Sequence, residues 1–218
     1  MTRLTAAPQP SHRLIPSQYP PIGLFDTVAS AADLEAVLEL AGWTNDRLVP
    51  IRLHRLPQSE WVHGRTNSSI VLAAFLHVAP NGGRFNGPDL GAWYASAEIR
   101  TAAAEVAHHL RREAVARDVP AMTRVYRSYT ARLEGAFRDV RGEPELHDPA
   151  SHEASQAFGE AERAAGRDGI VFDSVRHRGG VNAAAFRPSK IVDVVQAEHF
   201  EISVQAPERR IEVRRLAG

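Results

Sequence analysis

The sequence contains no cysteine, which excludes disulfides and thiolate metal sites. It has one lysine, Lys190, so nearly every basic residue is an arginine. Lys plus Arg and Asp plus Glu number 26 each, and no net field draws the chain toward nucleic acid. Nowhere do 18 apolar residues run together, and the N-terminus lacks the apolar centre of a secretion signal. These absences lead us to expect a cytoplasmic protein that binds neither membrane nor nucleic acid directly. No G-x-G-x-x-G follows a strand, so a carried dinucleotide redox cofactor is not expected. No G-x-S-x-G elbow is present, which argues against an acyl-enzyme serine. His108 and His109 are adjacent rather than four apart, so helical metal spacing is also missing, and no metal site is expected.

What is present is ordinary for a globular chain: 218 residues, 44% hydrophobic and 24% charged. That suffices for one sizeable core, or one domain with an appendage. Residues 1 to about 22 carry Pro8, Pro10, Pro16, Pro20 and Pro21 and read as an extended arm, mobile at its start. A helix with the stripe Leu34, Val37, Leu38 and Ala41 follows, capped by Ser30 or Asp33 and ended by Gly42. Thr44-Asn45-Asp46 starts a turn. Residues 1–48 thus read as an arm and helical appendage on a main domain of residues 49–218.

Ile51 to Leu56 alternates like a strand, with Arg55 on its apolar face. Arg55 either reaches a ligand or turns to solvent at the strand end. Trp61, His63, Arg65 and Asn67 form a polar loop that would border a pocket. Gly82-Gly83 permits a tight backbone path, and Arg84 and Asn86 follow at once. Ala92 to Ala95 reads as a buried strand carrying Tyr94. Ser96 reads as the N-cap of a helix to about Leu110, with Ile99, Ala103, Val106 and Leu110 buried and Glu105 on the flank. A loop arginine, a strand tyrosine and a helix glutamate therefore stand on three consecutive elements. A guanidinium suits phosphate, a phenol ring stacks on planar groups, and a carboxylate favours a developing cation.

Further on, Arg124 to Leu133 reads as a strand, which Phe137 to Val140 extends or pairs with. Asp148 and Pro149 read as the N-cap and first position of a helix ended by Gly166. A buried strand then ends near Ser174, a serine expected to satisfy a turn. Gly179-Gly180-Val181-Asn182 allows close backbone approach. Ala183 to Phe186, Ile191 to Val195 and Ile211 to Leu216 read as strands.

Gly-Gly-Arg-Phe-Asn, Trp-Tyr-Ala, Ala-Ala-Ala-Glu-Val, and Phe-Asp-Ser-Val-Arg with Gly-Gly-Val-Asn resemble, in that order, the RES domain family, over roughly residues 49 to 218. That family is named for its arginine, glutamate and serine. The resemblance implies an α+β fold like that of ADP-ribosyltransferases, with a split or bent, mostly antiparallel sheet flanked by helices. It implies an NAD-degrading bacterial toxin, a homodimer, neutralised by an Xre-type antitoxin. NAD would be the substrate rather than a cofactor.

In that reading Arg84, Tyr94, Glu105 and Ser174 are catalytic, and Arg55 and Asn182 join Arg84 and Tyr94 in binding NAD. Ser174 would orient either the nicotinamide side or Glu105. The acceptor would be inorganic phosphate, water or a protein side chain. The residues do not choose among these, so a protein ADP-ribosyltransferase stands beside the phosphorylase and glycohydrolase. A degenerate domain that only holds a partner is the competing class.

Overall fold

In the computed structural model, which describes residues 3–19, 23–42 and 50–217, nine strands form one sheet around which the helices are placed. The strands are β1 (Leu4–Thr5), β2 (Ser11–Pro16), β3 (Trp93–Ser96), β4 (Ala121–Leu133), β5 (Phe137–Asp139), β6 (Gly169–Asp173), β7 (Val181–Ala185), β8 (Ile191–Gln205) and β9 (Ile211–Leu216). The helices are α1 (Ala31–Gly42), α2 (Ser68–Leu76), α3 (Ile99–Ala116) and α4 (Glu153–Ala164). The sheet runs β1-β5-β6-β7-β3-β2-β4-β8-β9, and every pairing but β5 with β6 is antiparallel. The fold is α+β with a mostly antiparallel sheet, as expected.

The sheet is split at its middle. β2 pairs with β4 over six residues, Ser11 to Pro16, but meets β3 at the single pair His12↔Ser96. Five strands lie on one side of that joint and four on the other. This corrects the reading of the first residues as a mobile arm. Ser11–Pro16 is an interior strand, held by a partner more than 100 positions away, and β1 adds to the far edge. Proline content misled because Pro16 ends β2 and Pro8 and Pro10 precede it, where a missing N–H costs the ladder little.

One further expectation changes. Residues Pro50–Arg55 form a 3₁₀ helix rather than a strand, with Leu53 and Leu56 buried. Further along, α2 is a helix of almost wholly apolar composition buried on most of its surface. Asp26, from a distant segment, caps it: Oδ1 accepts from Ser69 N at 3.0 Å and Oδ2 from Asn67 N at 2.8 Å. Ser30 caps α1, accepting from Asp33 N at 3.2 Å and donating to its carboxylate at 2.7 Å. The expected turn at Thr44-Asn45-Asp46 lies outside the described residues.

One core packs α1 and α2 on one face of the sheet around Trp93, Phe75 and Phe137. A second joins α3 to β2, β4 and β8 through Ala103, Ala107, Leu110, Tyr126 and Ile202. A third lies between Phe85, Phe172 and Phe186. α3 contacts both halves of the sheet and so bridges the split.

Candidate active site

Strand alternation places the first groups. Trp93 points into the core, fully buried, so Tyr94 and Ser96 fall on the opposite alternation from it. Register pairs Ser96 with Asn182 and Asn182 with Phe172, so these three share one face across β3, β7 and β6. Ser96 Oγ donates to Asn182 Oδ1 at 2.6 Å. Asn182 is thereby turned so that Nδ2 donates to Glu105 Oε1 at 2.8 Å. Ser96 is therefore not the helix cap expected of it. α3 begins at Ile99, and Glu98 in the cap position makes no side-chain cap bond.

Ser174 follows β6 and donates its hydroxyl to Glu105 Oε1 at 2.7 Å. Ser174 Oγ in turn accepts from Arg176 N at 3.1 Å and His177 N at 2.9 Å, which fixes the turn around it. Ser174 is almost fully buried beside Glu105, where its hydroxyl can position the carboxylate. Both side-chain donors fall on Oε1. Oε2 makes no hydrogen bond to protein among the described residues, and Glu105 lines the cleft.

The Gly82–Arg84 turn forms another wall. Gly82 has φ +70°. A Cβ on Gly83 would stand 2.5 Å from Asn86 Oδ1 and 2.7 Å from the Tyr94 hydroxyl, so only glycine admits their bond. The Tyr94 hydroxyl donates to Asn86 Oδ1 at 2.7 Å and accepts from Phe85 N at 2.8 Å. Burial raises its pKa, so the phenol stays protonated. From α4, Gln156 Nε2 donates to Asn81 O and Gly83 O at 2.7 and 2.8 Å. Arg84 is buried; its Nη1 donates to Leu146 O at 3.3 Å and Asp148 O at 3.0 Å. Burial first, and then Arg176, lowers its pKa. Asp148 does not cap α4, which starts at Glu153; its Oδ1 instead accepts from Ala150 N at 2.7 Å in a local turn.

Arg84, Tyr94, Glu105 and Asn182 line one cleft of about 1200 Å³ at the sheet split, with Ser174 beside Glu105. Arg55 does not. It pairs with Asp89 at 3.3 Å beside a separate depression of about 340 Å³, because the 3₁₀ turn that carries it lies elsewhere. The polar loop is not at the cleft either. Trp61 Nε1 donates to Leu53 O and Leu56 O, Arg65 Nη2 to Ile191 O, and Asn67 Nδ2 to Val194 O, while His63 Nδ1 lies 3.3 Å from Val28 O. These groups pin the entry to α2.

Sequence reasoning missed Arg13, Arg112 and Arg176, which also line the cleft. Arg13 lies over the Trp93 ring at 4.8 Å and donates from Nη1 to Tyr94 O at 2.8 Å. Its Nε has no partner, and burial holds its pKa down at about 10. Only the pairing of β2 brings it here, so nothing local announced it. Arg176 stood within the quoted Phe-Asp-Ser-Val-Arg motif and could have been singled out.

Charge is unevenly shared. Elsewhere arginines form ion pairs, as Arg124 with Glu113 at 2.8 Å, Arg141 with Asp139 at 2.8 Å and Arg187 with Glu60 at 2.7 Å. Among the described residues, none of the four cleft arginines has a carboxylate within ion-pair distance. The neutral total thus conceals a cleft in which four arginines face two carboxylates, Glu105 and Glu153. Such a cleft suits a ligand bearing several negative charges and one developing positive centre.

No curated protein matches the chain. A solved structure similar to it is that of the M. tuberculosis MbcT–MbcA toxin–antitoxin complex, at 19% identity and TM-score 0.41, covering 54% of this chain and 73% of that one. The family model for the RES domain matches residues 52–205. That span is most of the chain and contains Arg84, Glu105 and Ser174, so the chain belongs to the RES domain family.

Proposed function

We propose that this protein cleaves the bond between nicotinamide and ribose in NAD+. The observation that carries this reading is Glu105, oriented by Ser174 and Asn182 and surrounded by arginines that form no ion pair with a carboxylate among the described residues. The scissile C1′–N bond breaks with its electron pair passing to the nicotinamide nitrogen, which becomes neutral. Positive charge grows on the ribose, as in glycoside cleavage. The Glu105 carboxylate stabilises it, while Arg84 holds the diphosphate in ground and transition states alike. The Tyr94 phenol, locked by Asn86 and Phe85, offers a wall for the planar base or the sugar. An acceptor oxygen then bonds to C1′ and loses its proton. Inorganic phosphate and water fit this description; a protein side chain would make the enzyme an ADP-ribosyltransferase.

We extend the reading to a toxin, itself a homodimer, that an Xre-type antitoxin holds inert by covering the cleft or its entrance; membership of the RES family supports this. The test is incubation of the purified protein with NAD+ and detection of free nicotinamide, with products weighed with and without phosphate. Glu105→Gln keeps shape but removes charge. Turnover should fall about 10²–10³-fold with little change in NAD+ binding. Unchanged turnover, or loss explained by unfolding, would overturn the assignment.

A further inference from the structure

The cationic lining is more extensive than one phosphate clamp needs. On α3, Glu105, His109 and Arg112 recur at four- and three-residue steps, so they share a face of the helix, and all three line the cleft. Arg112 stands two turns beyond Glu105, about 10 Å along the axis. From the opposite wall come Arg176 and His152. Arg176 Nη2 donates to Pro149 O at 3.1 Å, which ties it to the loop that bears His152. Arg112 has no hydrogen bond or ion pair to protein among the described residues, and Arg176 has no carboxylate partner. Glu105 and Glu153 offset part of this charge without an ion pair to either arginine, and the remaining like charges repel one another, so the arrangement is costly unless a ligand supplies the missing charge.

Resting on the reading above, we propose that Arg112, Arg176, His109 and His152 form a phosphoryl subsite beyond Glu105, distinct from the clamp at Arg84. It takes a phosphate group in its dianionic form, either one carried by the dinucleotide or free inorganic phosphate. Both histidines are held below their ordinary pKa by burial, with nearby arginines contributing. They enter the empty cleft largely neutral and can donate to an incoming oxyanion.

The experiment is titration of the purified full chain with inorganic phosphate, followed by calorimetry, in the absence of NAD+. Binding in the millimolar range or tighter is expected. Arg112→Ala and Arg176→Ala should each weaken it at least tenfold, and Arg112→Lys should recover part of the loss. The exposed Arg178→Ala, whose side chain is outside the cleft lining, serves as the control and should bind as the parent does. A second arm repeats the titration with ADP-ribose present. Competition assigns the subsite to the dinucleotide's own phosphate, and simultaneous binding assigns it to a free phosphate. No phosphate binding, or binding that ignores both substitutions, would overturn the subsite. The readout needs no turnover, so it stands or falls separately from NAD+ cleavage.

Discussion

Glu105 receives two donors on one oxygen and presents the other to the cleft. In the proposed reading Ser174 acts through that carboxylate, which makes its substitution informative. A hydrogen bond to a charged group is worth about 1.5–3 kcal/mol, so Ser174→Ala should lower kcat by roughly 10–100-fold while leaving KM almost unmoved. Ser174→Thr keeps the hydroxyl and should restore most of the rate. A shift confined to KM, or no rescue by threonine, would refute the positioning role. At this scale Arg84, Tyr94, Glu105, Ser174 and Asn182 were legible because their motifs are local. Arg55 was misassigned because six alternating residues also fit a 3₁₀ turn. Arg13 was invisible because its place depends on a strand pairing across more than 100 positions.

The same division between local and distant causes governs the elements. α3, with its strong amphipathic stripe, was legible from Ile99 to Leu110 though it runs on to Ala116, and Ile99 and Val106 are only half-buried while Ala107 and Ala114 complete the buried face. β8 was legible only over Ile191 to Val195, because the exposed Gln196, Ala197 and Glu198 interrupt its apolar pattern before Phe200 resumes it. The cap on α2 could not be read at all, since Asp26 lies 43 positions before Ser69, the helix residue it bonds. Asp26→Ala should cost about 1–2 kcal/mol of stability, the usual range for a lost cap. A denaturant titration measures this, and activity per folded molecule should be preserved. α4 packs on the Gly-Gly-Arg turn through Gly159, where a Cβ would stand 2.1 Å from Phe85 O. Space rather than helix propensity dictates that glycine.

For the whole molecule, the decisive fact is that the family match begins at residue 52 while β2 ends at Pro16. A fragment of residues 49–218 lacks the strand that joins the two halves of the sheet and also lacks α1. It should show no cooperative thermal transition, whereas the full chain should melt in one step; circular dichroism would decide. A fragment that melts cooperatively and still releases nicotinamide would show β2 to be dispensable. The placement of β2 also has a consequence in time. On the ribosome Ser11–Pro16 emerges early but must wait for Tyr126 to Ala131, and Glu105 must wait for Ser174 and Asn182. At roughly 5–20 residues per second, more than 100 residues of delay is on the order of ten seconds. The nascent chain cannot complete its cleft until most of it has been made, so no partly synthesised copy holds Glu105 in its finished setting.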